Sequence, residues 1–247
     1  NTFTTDEAII PVRGGDWYDG GFWADLYTHN WAEDSKPLYD TWKYLYKVIV
    51  FSNDALTTID KHKQLLTDEQ YKAYRAEVRA IRALYYYYLM DMFGNIPLVT
   101  TAGESTENAD QASRPEVYRF IVKELQEVTP LLPTGHSNLL GKNYGRVTRS
   151  VANFLLAKLM LNGEVYSDAD WTDNQQPNGK QTYFTINGQQ MNIWQACKYY
   201  CDELTADGFT LAADYLSNFS VNNENSPENI FTIPLDKHLY KLSLIHI

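Results

Sequence analysis

The chain has 247 residues, 44% of them apolar, which is enough for an ordinary hydrophobic core in one large domain or two small ones. Acids outnumber bases 31 to 21, giving a net charge of −10, and the bases are dispersed without runs, which excludes a nucleic-acid surface. No stretch approaches the length of a membrane span, whereas aromatic residues reach 14%, more than a core of this size needs.

Residues 1–36 read as loop, punctuated by Gly14-Gly15 and Gly20-Gly21 and by scattered aspartates. Within this segment Arg13, Asp16, Trp17, Asp19, Trp23, His29 and Trp31 combine indoles with carboxylates, a guanidinium and an imidazole. A pyranose presents a flat C–H face on which an indole stacks and a rim of hydroxyls that Asp, Asn or Arg can fix, so this is a candidate sugar site. Trp17 and Trp31 are the expected platforms, with Arg13, Asp16 and Asp19 as polar partners. The competing reading is that the indoles pack the loop onto the helices, and Trp23, with Leu26 three residues on, is the expected buried member.

A helix is predicted over 37–60, with Leu38, Trp42, Leu45, Ile49, Ala55 or Leu56 and Ile59 on its apolar stripe and Pro37 in its first turn. Thr67-Asp68-Glu69-Gln70 reads as a capping box that opens a second helix reaching about Phe93. Ala73, Ala76, Ala80, Ala83 and Tyr87 form a small-residue stripe for close helix approach, and Lys72, Arg75, Arg79 and Arg82 a second, solvated stripe. Tyr85 to Tyr88 cover every side of the helix, so that end must be enclosed. Gly94-Asn95 stops it, Pro97 prevents its resumption, and the two helices form a hairpin.

After a polar loop over 98–112, Ser113, Pro115 and Glu116 start a third helix carrying Val117, Phe120, Ile121, Leu125 and Val128, which Pro130 to Pro133 end. Thr148 or Ser150 caps a fourth, with Val151, Phe154, Leu155, Leu159 and Asn162 facing inward, and these two make a second hairpin. A fifth helix over about 189–206 carries Ile193, Trp194, Cys197, Tyr200, Cys201 and Leu204 and has no obvious partner, and Phe231 to Leu235 reads as a short strand. The expected fold is mostly α, built of irregular tetratricopeptide-like hairpins with long loops and little strand, although equivalent helices recur about 80 residues apart rather than about 34.

Other candidate chemistry is weak. Cys197 and Cys201 lie four apart on one helix, where disulfide geometry is poor and no further ligands complete a zinc site, so they read as semi-buried thiols. Asp168, Asp170, Asp173 and Asn174 resemble a calcium loop only faintly, because Asp173 occupies the position that requires glycine; solvated acids are the better reading. His62, His136 and His238 read as surface residues, and no cofactor is implied. No nucleophile-elbow, zincin or P-loop pattern is present.

Four segments in order, Thr5 to Trp23, AEVRAIRALYYYYLMDMFGNIPLVT over 76–100, Ala157 to Tyr166 and Pro227 to Ile233, resemble the SusD/RagB family of glycan-binding outer-membrane lipoproteins. The resemblance implies a SusD-like α-solenoid forming one domain over 1–240, incomplete at both ends. It further implies lipid anchoring at the extracellular face of the outer membrane of a Bacteroidota-type bacterium. There the protein would capture oligosaccharides without cleaving them and deliver them to a SusC-like TonB-dependent transporter. The lipidated cysteine and a C-terminal part of the site are expected outside this sequence, and Lys241 to Ile247 resembles translated adapter sequence, a non-native tail. Two alternatives stand beside this: a glycoside hydrolase using loop carboxylates, or a helical-repeat scaffold that binds protein. Acids in an open glycine-rich loop are solvated, whereas a general acid needs burial to raise its pKa, which disfavours the hydrolase.

Overall fold

A computed structural model describes residues 2–103, 109–221 and 223–233. Among these, the long helices are α2 (Lys36–Lys61) and α3 (Asp68–Phe93), preceded by the short α1 (Phe22–Thr28). They are followed by α4 (Arg114–Val128), α5 (Arg149–Leu161), α6 (Gly163–Ser167) and α7 (Ile193–Ala206). Besides short 3-10 turns there are two small antiparallel pairs: β1 (Ile96–Pro97) with β2 (Gln111–Ala112), and β3 (Tyr183–Ile186) with β4 (Gln189–Asn192).

Local chemistry sets the helix starts. Reciprocal capping boxes open α3 (Thr67 with Gln70), α4 (Ser113 with Glu116) and α7 (Asn192 with Gln195), each satisfying two N-terminal amides that would otherwise lack partners. α3 ends at Gly94, whose φ of 72° an L side chain would resist. The Asn187-Gly188 turn, with φ of 49° and 79°, has the left-handed backbone that a two-residue hairpin requires and joins β3 to β4.

The helices stack as a serial, antiparallel array. Trp42 of α2 meets Phe93 at one end of α3, with ring centroids 5.0 Å apart, while Asp60 engages Tyr71 and Arg75 at the other end. α4 lies on α3 through Phe120 against Tyr86 and through Glu124, which pairs with both Arg79 and Arg82. α4 reaches α5 through the Tyr118 hydroxyl, 3.7 Å from Met160 Sδ. α5 then packs along α7, with Ser150 Oγ donating to Asp207 at 2.7 Å and Cys197 Sγ 3.6 Å from the Ala157 carbonyl. Gly163 is needed at the start of α6, because a Cβ there would come within 2.7 Å of Ile193 and 2.8 Å of the Tyr118 hydroxyl.

One continuous core runs through α2, α3, α4, α5 and α7, centred on the fully buried Ile49, Ala83, Tyr86, Leu89, Ile121 and Leu159. Buried tyrosines also tie down the chain after α3. Tyr86 Oη donates to the Val99 carbonyl at 2.6 Å and accepts from its amide at 2.8 Å, and Tyr46 Oη donates to the Pro97 carbonyl at 2.7 Å. Removed from water, such hydroxyls need these partners.

The mostly helical, hairpin-based fold agrees with the sequence reading, and several details differ. The stripe read as solvated is partly interior: Arg82 is 6% exposed, held by Asn53, Glu124 and the Thr100 carbonyl, and Arg79 bridges Glu124 and Glu127. Helix α4 covers this face, and its glutamates compensate the desolvated guanidinium groups. Tyr85 to Tyr88 are not all enclosed, since Tyr88 remains 39% exposed. The fourth helix takes α7 as its main partner rather than α4, and α7 starts at Ile193 because residues 189–192 pair into β4. Phe154 and Asn162 face solvent while Asn153 is buried, a rotation of the face imposed by α7. Trp194 and Cys201 are exposed. The loop-like N-terminal segment contains α1, and residues 231–233 form no strand. His136, read as a surface residue, stacks on Phe209 at 4.2 Å. His238 and the tail from Lys241 lie outside the described residues.

Candidate functional site

The candidate site is built by residues 2–35, which pack mainly on themselves and add no side chain to the main core. Arg13 and Asp16 face each other in a tight antiparallel bridge, Arg13 N to Asp16 O at 3.1 Å and Asp16 N to Arg13 O at 3.0 Å. Gly14, at φ 60°, permits the turn between them. The chain then passes through Trp17 at φ 64° and Asp19 at φ 41°. Left-handed backbone costs a non-glycine residue about 1–2 kcal/mol, so the loop holds Trp17 in a conformation it would not choose alone.

What holds it is a cluster around Trp23. Its ring meets Phe3 at 5.1 Å, Phe22 at 4.9 Å and Trp17 at 6.3 Å, and its Nε1 donates to Asp19 Oδ2 at 2.6 Å. Trp23, expected to be buried, is half-buried and acts as a hub on which Trp17 leans. One oxygen of Asp19 is thereby committed within the loop. Trp17 stays 40% exposed, and Arg13 and Asp16 are exposed beside it in sequence.

Trp31, 43% exposed, belongs to a separate arrangement. It tilts against His29 at 5.3 Å, and His29 Nε2 lies 2.8 Å from the Thr4 carbonyl, tying the end of α1 to the N-terminal turn. Trp31 also walls a recess of about 220 Å³ together with Phe22, Asp25, Asn30 and Asp34. Trp17 is not part of that wall. The structure thus gathers Arg13, Asp16, Trp17 and Asp19 at one end of α1 and sets Trp31 at the other, in a recess of its own.

Residues 11–35 carry five carboxylates, Asp16, Asp19, Asp25, Glu33 and Asp34, against the single guanidinium of Arg13, a balance that suits neutral or cationic ligands and repels anions. Sequence reasoning missed Phe3 and Phe22 as supports and Asn30 and Asp34 as recess walls. Phe3 lies twenty residues from the ring it supports, and no local pattern carries such a contact.

An array of antiparallel helices bearing an exposed aromatic loop at its N-terminal end defines the class of protein. The chain belongs to the SusD-like family described as starch-binding and associating with the outer membrane, whose model matches residues 12–161. A SusD-like protein of Bacteroides ovatus is 21% identical over 235 residues, covering 92% of this chain and 38% of that protein. The starch-binding protein SusD of Bacteroides thetaiotaomicron is 30% identical over 102 residues, 41% of this chain and 17% of that protein. Among solved structures, surface glycan-binding protein A from Bacteroides uniformis superposes with a TM-score of 0.66 at 23% identity, over 87% of this chain and 42% of that one. Surface glycan-binding protein A from Bacteroides thetaiotaomicron in complex with laminarihexaose gives 0.55 at 25% identity, over 77% of this chain and 34% of that one. The chain therefore spans less than half the length of each. Among the described residues, no helix is long and apolar enough to cross a membrane.

Proposed function

We propose that this chain contributes to capturing a neutral oligosaccharide at the outer membrane, with the loop from Arg13 to Trp31 as a contact surface. Trp17 and Trp31 serve as stacking platforms and Arg13, Asp16 and Asp19 as polar contacts. The observation that carries the reading is Trp17 itself: a 40% exposed indole held at a positive φ by a cluster of other rings. Strain of that kind persists only where surrounding structure enforces it, and an indole displayed at that cost is suited to binding. The acidic balance of the loop favours an uncharged glycan. A relative named for starch binding, and a structural neighbour solved with laminarihexaose, support the ligand class.

The captured glycan passes to a SusC-like TonB-dependent transporter, with the protein held at the extracellular face of the outer membrane by a lipid anchor. This step rests on family membership. No cleavage accompanies capture, because Asp16 and Asp19 lie open to solvent and Asp19 is committed to Trp23, so neither is placed as a buried catalytic carboxyl.

Calorimetry with laminarihexaose and maltohexaose tests the reading. Hydroxyl groups exchange hydrogen bonds with water at small net gain, so ring stacking carries much of the affinity. Trp17→Ala or Trp31→Ala should each lose about 1–3 kcal/mol of binding, roughly 5- to 150-fold, with the helical circular-dichroism signal unchanged. Unchanged affinity in both variants moves the surface elsewhere. Reducing-sugar release by the unaltered chain would overturn the non-catalytic assignment.

A further inference from the structure

A second cavity, of about 240 Å³, lies between the C-terminal end of α4, the first turns of α5, the β3–β4 turn and the second half of α7. Its floor is apolar, made in part by Leu156 and Ile186, 1% and 5% exposed. Two polar groups on its α5 wall have no partners. Asn153 is 3% exposed and makes no side-chain hydrogen bond among the described residues. Arg149 has its Nε buried and unbonded, and its guanidinium joins no ion pair among the described residues. The two are four residues apart on one helix, so they sit one turn apart on the same face. A buried polar group without a partner is costly, and most such groups in folded proteins are satisfied.

Of the other polar groups of the wall, the amide nitrogens of Gln126 and Asn187 are engaged. Gln126 Nε2 donates to the Thr185 carbonyl and to Tyr200 Oη, both at 3.3 Å, and Asn187 Nδ2 donates to Tyr199 Oη at 2.8 Å. Tyr200, which accepts from Gln126, retains its own O–H to donate, and burial pushes its pKa up to about 12, so that proton stays in place at neutral pH. The unsatisfied donors are the guanidinium fork of Arg149, the amide nitrogen of Asn153 and the hydroxyl of Tyr200, beside the acceptor carboxylate of Glu203. A carboxylate, which only accepts, is the group that uses all three, and the planar fork matches its two oxygens. Glu203, on the α7 wall, repels negative charge there and so directs a ligand's carboxylate toward α5.

We propose that this cavity binds the carboxylate of a small ligand no larger than one sugar ring, with Arg149 as the charged fork and Asn153 as the adjoining donor. The chemistry is that of an acidic monosaccharide or of a free organic acid. The site is separate from the aromatic loop and does not depend on the reading of that loop.

Calorimetry on the full chain with D-glucuronate, D-glucose and cyclohexanecarboxylate tests it. Glucuronate should bind and glucose should not at the same concentration, and Arg149→Ala should weaken binding about tenfold or more because it removes a charge-assisted, bidentate contact. Asn153→Ala should weaken it less, and Arg149→Lys should recover only part of the loss, since the charge returns without the fork. Binding of glucuronate alone identifies an acidic sugar as the source, and equal binding of cyclohexanecarboxylate identifies organic acids generally. Trp17→Ala should leave acid binding unchanged. Should the Arg149 and Asn153 variants fail to fold, phenylglyoxal labelling of the unaltered chain, read by peptide mass spectrometry, should show Arg149 protected by glucuronate. The proposal is overturned if glucose binds as well as glucuronate, if neither acid binds, if affinity is unchanged in both α5 variants, if Trp17→Ala abolishes acid binding, or if Arg149 is not protected.

Discussion

Two regions of this chain are rich in aromatic residues, and they have opposite fates. On α3, Tyr86 and Tyr87 are 0% and 5% exposed, whereas in the N-terminal loop Trp17 and Trp31 are 40% and 43% exposed. The difference does not come from the rings, since indoles are the larger and more apolar. α3 lies between α2 and α4, which cover it on two sides, and the hydroxyl of Tyr86 finds backbone partners inside. The loop packs against little beyond its own turns, so its rings can support one another but cannot all be covered. Aromatic content marks both regions, and the neighbours decide which rings are core.

The sharpest test of this contrast is Tyr86→Ala. It should cost about 3–5 kcal/mol in urea unfolding, because it removes a fully buried ring and leaves the Val99 amide unpaired, the Val99 carbonyl keeping only its hydrogen bond from Asn53. A cost below about 1 kcal/mol would break the comparison, since that is the range of surface substitutions.

Next in size is the ionic seam between α3 and α4. Burial works to raise the pKa of Glu124, and hydrogen bonds from Arg79 and Arg82 outweigh it, so the carboxyl lies below its ordinary range. A lowered folded-state pKa means stability that is present above the ordinary glutamate value of about 4.3 and lost as the pH falls through the lower, folded value. Glu124→Gln should leave Arg82 buried beside a neutral group, costing about 3 kcal/mol at neutral pH and flattening this acid-side decline in thermal melts. An unchanged pH profile would place the acid sensitivity elsewhere.

The loop should show the reverse pattern, losing binding without losing stability. Trp31→Ala should lower unfolding free energy by less than about 1 kcal/mol, because a half-exposed ring outside the core leaves no sealed cavity. Asp19→Ala should be smaller still globally, about 0.5 kcal/mol or less. It releases Trp23 Nε1 and should appear chiefly as a red shift in tryptophan fluorescence. Global destabilisation by either variant comparable to Tyr86→Ala would show that the loop belongs to the core.

Much of the helical frame was legible from local chemistry. The capping box at Thr67, the helix start at Ser113, the stop at Gly94 and the apolar stripes of α2, α3 and α4 all appear where short-range spacing put them. The candidate site was legible only as a list of residues. Trp17, Trp23 and Trp31 lie close in sequence, and nothing in that spacing says that Trp23 bridges Phe3 and Asp19 or that Trp31 walls a recess without Trp17. Arg149 and Asn153 were missed because an inward-facing arginine on a helix looks like any solvated one until α4, α7 and the β3–β4 turn are placed around it.

The sequence by itself determined where helices begin and end and which stripes are apolar, because caps, breakers and periodicity act over three or four residues. Only the tertiary structure decided which polar and aromatic side chains are enclosed. Arg82 became interior, Phe154 turned outward and Trp17 was propped at the surface, since enclosure depends on partners tens of residues away whose arrival no local pattern encodes.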